Sequence, residues 1–347
     1  MPGLATLFII IACSSGMIDP LSCVRLPFTP DLTQAGIAYV CRRLPYLNLT
    51  PKNSPWKSIP KLILGTAVEL ALHRYLLGQD LPIQRFQTNP FSEPEHSSLI
   101  LGGRRCKIQS LLISSKAKIR LLKKDPHRLL KETISVQQAA LLSEHYQSND
   151  LHIFAIATGL IAPHQPKISR AVQAGQPAYL ISLLSRRWYD YGLWKPYHRL
   201  TFVYTGSTPI HLELVGQSEE NRSMTEKLNL LPDQTTRLTS TFGRLYYLHP
   251  EELPNGSITI FNEAKHHEYY IEPEKWLNIW IYGIEIIFVG YCTHIELIQK
   301  AFQDKAGGYP VRFLKNQADL YRFPLCESHP FKNLVEWIHT WKGPKEM

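Results

Sequence analysis

Two consecutive glycines, Gly102 and Gly103, separate Leu99-Ile100-Leu101 from the run Arg104-Arg105-Cys106-Lys107-Ile108-Gln109. Glycine reaches positive φ without a Cβ clash, so a Gly-Gly pair between an apolar run and an alternating run predicts a tight β-hairpin. Its second strand then directs Arg104, Arg105 and Lys107 outward around Cys106 and Ile108. An apolar segment with Glu69 in its middle precedes the hairpin at residues 62–77, and a basic arm follows at 116–131. This order of helix, hairpin and basic arm constrains the rest of the chain.

Charge sharpens the picture. The chain carries 38 Lys and Arg against 29 Asp and Glu, a formal +9. Residues 104–131 hold ten of the basic residues (Arg104, Arg105, Lys107, Lys116, Lys118, Arg120, Lys123, Lys124, Arg128, Lys131) against one acid, Asp125. That stretch alone accounts for the whole +9, so the positive field is a local feature and a polyanion is its natural partner. A solvated basic face without a partner is the plainer alternative.

At 347 residues, 44% of them hydrophobic, the chain is long enough for two domains with ordinary cores. Six scattered cysteines form no CxxC pair and no metal-ligand spacing, which fits reduced thiols and a cytoplasmic location. Residues 1–16 include the apolar run 4–12, with Ile10-Ile11-Ala12-Cys13 like a lipoprotein processing box. No Lys or Arg precedes that run, and it is too short to span a bilayer, so an upstream start or peripheral segment is preferred over a signal. No other stretch suggests a membrane span, and no membrane partner is expected.

Residues 27–44 open with helix-start chemistry in Thr29, Pro30 and Asp31, with Leu32, Ala35, Ile37, Val40 and Leu44 inward. A Pro-rich loop follows at 45–60. The second helix, about 59–77, carries Leu62, Thr66, Glu69 and His73 on one stripe and ends at Gly78. Residues 133–136 are β-prone, 137–146 read as a helix, and 151–160 as a buried strand. Together these suggest an α/β domain over residues 17–177, a mixed sheet flanked by helices. From residue 178 to 347, short Val-, Ile-, Tyr- and Thr-rich runs between turns suggest a mainly antiparallel β-rich domain. A short helix at 293–302 begins with Thr293 and Glu296 as a capping box. Aromatics concentrate here; packing is the ordinary explanation, and a surface for a protein partner or for nucleic-acid bases is the sharper one.

The order of a Glu-bearing helix, a hairpin, a strand and a helix resembles the restriction-endonuclease-like, or PD-(D/E)XK, nuclease superfamily over roughly residues 27–160. The resemblance implies a helix acid, an Asp opening one strand and an acid-x-Lys on the next, converging on Mg²⁺ that stabilises the phosphate transition state and activates water. Laid on that pattern, Glu69 matches the helix acid and is the candidate metal ligand. Ser97 or Ser98 stands in the Asp position, and Lys107-Ile108-Gln109 stands where acid-x-Lys belongs. Glu93 or Glu95 are acids that could migrate in, Gln109 is a candidate for orienting water, and Gln137 is a further polar contact. Glu69, Glu95 and Gln109 are thus the candidate catalytic set, and Mg²⁺ is implied only if that set is active.

Losing two carboxylates and adding Lys107 makes such a cleft more suited to holding a phosphate backbone than to cutting it. The expectation is a nucleic-acid-binding protein, with double-stranded DNA the favoured partner, bound by Arg104, Arg105, Lys107, Lys116, Lys118, Arg120, Lys123 and Lys124. Two alternatives stay open: a Mg²⁺-dependent endonuclease of host-defence or repair type with a migrated site, and a non-enzymatic subunit whose basic face meets an acidic protein. The sequence has no HExxH or paired Cys/His set, no P-loop, no GxGxxG and no GxSxG elbow.

Overall fold

A computed structural model describes residues 22–26, 28–46, 55–79, 81, 83–85, 99–137, 141–142, 146–184, 200–262, 267–303 and 320–340. The described chain is mixed α/β, with one mixed sheet, helices and several antiparallel sheets. It forms two compact units, each built from separated stretches: Met1–Thr29, Ala67–Thr158 and Ile284–Met347 in the first, Pro30–Thr66 and Gly159–Gly283 in the second.

The first unit is organised on a seven-stranded sheet. Its strands are β1 (Val24–Leu26), β2 (Ile83–Arg85), β3 (Leu99–Leu101), β4 (Arg104–Ile113), β6 (Leu151–Ile161), β16 (Ile281–Thr293) and β19 (His329–Pro330). They run in the order β1-β16-β6-β4-β3-β2, with β19 also on β16. Gly102 and Gly103 take φ of 54° and 76°, and the turn pairs Leu101 with Arg104, Ile100 with Arg105 and Leu99 with Cys106. Both central residues are in the left-handed region, as a hairpin twist-matched to its strands requires. Beyond the turn, β4 pairs in parallel with β6 over eight positions, from Cys106 opposite Leu151 to Ile113 opposite Thr158.

Parallel neighbours need a crossover, and helix α3 (Lys116–Lys124) lies in the connection from β4 to β6. Ser115 caps it by accepting from the Lys118 amide, and Ile119 and Leu122 turn inward onto a core of Ile113, Leu129, Phe154, Ile156, Ile287 and Val289. A small antiparallel sheet closes this layer: β5 (Thr133–Gln137) pairs with β18 (Leu320–Pro324), and β18 with β17 (Phe302–Gln303). Phe323 of β18 stacks on Phe154 of β6 with ring centroids 4.7 Å apart. On the other sheet face, Phe288 of β16 packs on Phe331, and Phe331 on Tyr75 of helix α2 (Pro55–Leu77).

The second unit contains helix α1 (Pro30–Arg43), whose Leu32, Ile37, Val40 and Cys41 are buried, and the first half of α2. Gly36 lets these helices approach closely, since a Cβ there would lie 2.6 Å from the Ile63 carbonyl oxygen. Its two antiparallel sheets run β10 (Ser223–Leu230), β9 (Ile210–Gln217), β12 (Arg244–Pro250), β7 (Leu180–Leu183), β15 (Leu277–Asn278) in one, and β11 (Thr235–Arg237), β8 (Leu200–Tyr204), β13 (Ile258–Asn262), β14 (His267–Ile271) in the other. Inward side chains of these strands, Phe202, Leu212, Leu214, Leu248, Ile258 and Ile260, make its core with Trp276 and with Ile168 of helix α4 (Gln165–Gln173).

Several sequence expectations are met in detail. The capping box is present, with the Thr293 hydroxyl accepting from the Glu296 amide at the start of helix α5 (His294–Lys300). Two assignments differ. The run containing Ile281–Thr293 carries the texture of an antiparallel β region, yet it joins the mixed sheet beside β6. Gln137 ends β5 rather than opening a helix. The basic arm forms α3 and a short 3-10 turn, Pro126–Lys131. Among the described residues, no helix is long and apolar enough to cross a membrane.

The Gly-Gly turn provides a first test. Gly103→Ala places a Cβ at φ 76° and is expected to destabilise the protein by about 1–2 kcal/mol, read as a lower urea midpoint. Gly102→Asn, which tolerates the left-handed region, is expected to cost less.

Candidate nucleic-acid interface

Alternation along β4 separates its polar side chains. Cys106 is fully buried in the direction of Ile153 and Ala155, while Lys107 and Gln109 emerge on the α3 side of the sheet with His152, Phe154 and Ile156 of the parallel neighbour. His152 is the one polar residue in the buried part of β6 that hydrogen-bonds across it. Its Nδ1 lies 3.1 Å from Gln109 Nε2, and its Nε2 lies 3.0 Å from His294 Nδ1. With the Gln109 amide donating, His152 Nδ1 accepts, its Nε2–H donates to His294, and His294 is left with an N–H for the Leu141 carbonyl. The two imidazoles stack with centroids 5.2 Å apart, and Tyr146 covers both.

Burial first, then His294 and Lys107, push the His152 pKa down to about 3. Burial also lowers that of His294, against the raising influence of Asp150. Both rings are therefore neutral near pH 7, and the chain of bonds from Gln109 to Leu141 ties β4, β6 and α5 together.

The hairpin cations are held within the protein. Asp150, buried just before β6, accepts from the Arg105 backbone at 3.2 Å, pairs with Arg105 Nε at 3.1 Å and accepts from the Gln147 amide at 2.7 Å. Arg104 stacks its guanidinium 4.1 Å above the ring of Trp337, on helix α6 (Lys332–Thr340). Lys107 sits with its ammonium 5.6 Å from the Tyr146 ring centroid. A guanidinium over an indole and an Arg beside a buried carboxylate are stabilising in place and poorly placed to move onto a ligand.

Helix α3 is the opposite case. Lys116, Lys118, Arg120, Lys123 and Lys124 are all exposed, and the helix has no acid. Lys118 pairs with Glu132 at 2.8 Å, and Arg128 with Asp125 at 3.2 Å. Lys116, Arg120, Lys123 and Lys124 have no ion pair among the described residues. Cations four apart on a helix repel, so a surface of this kind gains from a polyanion.

The remaining sequence-derived candidates fall as follows. Leu62, Thr66, Glu69 and His73 form the half-buried flank of α2, beside the buried Ile63, Ala67 and Leu76. Glu69 thus belongs to the helix that contacts the sheet through Tyr75 and Phe331, whereas Lys107 and Gln109 emerge on the α3 side. Lys107 and Gln109 are brought together around His152. The Gln109 amide is engaged by an imidazole rather than left to orient water. Glu93, Glu95, Ser97 and Ser98 lie outside the described residues. Sequence reasoning missed His152, Asp150, His294 and Trp337; a lone His in an apolar run was the available signal for the first. In the second unit, His211, Glu251 and Glu252 cluster at the surface, where Glu251 is already paired with Lys227 at 2.7 Å.

Comparisons with protein-family models, with curated proteins and with solved structures give no match for the chain.

Two outcomes follow from this geometry. The unfolded chain takes up a proton at an ordinary His pKa of 6.5, whereas folded His152 resists protonation until about pH 3. Stability is therefore full above pH 6.5 and is lost as the pH falls from there towards 3, by up to about 1.4 kcal/mol per unit. The urea midpoint is expected to drop between pH 7 and pH 5, and His152→Leu to flatten that drop; an unchanged drop would count against the assignment. Asp150→Ala leaves the Arg105 and Gln147 amides without their acceptor and is expected to cost about 1–3 kcal/mol by the same measurement.

Proposed function

We propose that this protein binds nucleic acid, with double-stranded DNA the favoured partner, through a restriction-endonuclease-like domain whose metal site is degenerate. The single observation that carries the reading is the exposed cationic surface of α3, on which Lys116, Arg120, Lys123 and Lys124 have no ion pair among the described residues. The phosphate backbone supplies most of the affinity of such surfaces, by release of condensed counterions. The order of α2, the β3–β4 hairpin, α3 and a strand parallel to β4 supports the nuclease-like assignment. The site chemistry supports loss of cleavage. A hard divalent cation needs several oxygen ligands, yet Lys107 is a cation, Gln109 is held by His152, and Glu69 belongs to a helix of the other sheet face.

The hairpin has a different part in this function from the one its charges suggest. Arg104, Arg105 and Lys107 brace the sheet beside α3, and α3 meets the ligand.

Fluorescence anisotropy with a duplex oligonucleotide tests the proposal. Affinity is expected to fall linearly on a log–log plot as salt rises from about 50 to about 200 mM. Binding is expected to survive EDTA and Glu69→Ala, and plasmid to remain uncut with Mg²⁺ or Mn²⁺. Salt-independent binding, or none, removes the reading; nicking abolished by Glu69→Ala would restore the endonuclease alternative.

A further inference from the structure

The free cations of α3 do not surround the helix. At about 100° per residue, Lys116, Arg120, Lys123 and Lys124 fall within an arc of about 100° on one flank. Ile119 and Leu122 face the core, and the exposed Leu121 follows the stripe around the helix. The flank beyond it belongs to Lys118, which is already held by Glu132. The stripe from Lys116 to Lys124 covers nine residues, about 12 Å at the helical rise, with its four cations about 6, about 4.5 and about 1.5 Å apart along the axis.

The side-chain inventory favours the backbone over the bases. α3 has the sequence KAKIRLLKK, with no Asn, Gln, Ser or Thr to read adenine or supplement a cation, and three of its four stripe cations are lysines, point charges suited to phosphate. A helix lodged between two strands would also need cations on both flanks, and here one flank carries the Glu132 carboxylate.

Building on the proposed nucleic-acid binding, we infer that α3 meets a single sugar-phosphate strand through this one cationic flank, contacting phosphates and reading no bases. Duplex and single-stranded DNA then present the same element to it, and sequence has no influence on its share of the affinity. The Lys118–Glu132 pair limits the contact to one strand by placing negative charge where a second would approach.

The test compares wild type with a variant carrying Lys116→Ala, Arg120→Ala, Lys123→Ala and Lys124→Ala. Two duplexes of unrelated sequence and their single strands are the probes, with anisotropy read across salt. All four positions are exposed and alanine favours helix, so the fold should hold, which circular dichroism and the urea midpoint check. The salt slope is expected to become shallower by about 3.6 on duplex and about 2.8 on single strand, equally for both sequences. Wild-type binding with an unchanged slope in the variant overturns the inference and leaves nucleic-acid binding standing on another surface. A loss confined to duplex, or differing between sequences, overturns it in favour of groove reading. No wild-type binding to any probe removes the proposed function itself. A polyglutamate peptide competing as well as DNA of equal charge would overturn the strand geometry in favour of an acidic protein partner.

Discussion

The parallel pairing of β4 with β6 is the constraint on which the first unit depends. Eight matched positions bring Lys107 beside His152 and Ile113 beside Thr158, and they oblige the chain to leave β4, cross over a sheet face and return in the same direction. The cationic helix lies in that crossover. Its place over the sheet follows from strand direction, and its grip comes from Ile119 and Leu122 entering the core with Phe154, Ile156, Ile287 and Val289. A helix with five cations and no acid is a poor helix alone. Burial of one face and the Ser115 cap offset the repulsion on the other.

The same pairing explains the polar chain beneath. Alternation places Gln109 and His152 on one face, and a buried imidazole must satisfy both nitrogens or lose the desolvation energy of an unpaired group. Gln109 answers one and His294 the other, so a strand, its neighbour and the start of α5 are joined by hydrogen bonds that require neutral rings. Burial first, then the second imidazole and the Lys107 ammonium nearby, make protonation of His152 costly. This part of the core is consequently the acid-sensitive one.

Charge is divided by the fold into two roles. Residues close in sequence, Arg104 and Arg105 on one side and Arg120 and Lys124 on the other, differ wholly in circumstance. The first pair is immobilised against Trp337 and Asp150, partners distant in sequence. The second is exposed, with no ion partner among the described residues. Net charge counted along the chain cannot tell these apart, because an ion pair formed across the sheet is absent from any local count. The exposed cations with no ion partner among the described residues are consequently fewer than the run from Arg104 to Lys131 suggests, and most of them lie on α3.

The local features were legible in the sequence because their causes are local. Gly102-Gly103 forces its turn through φ alone, Thr293 and Glu296 cap within one helical turn, and the alternation of β4 and the apolar run of β6 follow from strand geometry. Even the half-buried stripe of Leu62, Thr66, Glu69 and His73 was readable from helical spacing. What only the tertiary structure decided was which distant segments share a sheet or a site. Ile281–Thr293 enters beside β6, Trp337 meets Arg104, and His294 completes the bonds of His152, across separations of well over a hundred residues. Periodicity specifies which face of an element is apolar but not which partner covers it. Pairing of edges and burial of polar groups are settled by the competition among all segments at once, and that competition separated the braced cations from the free ones.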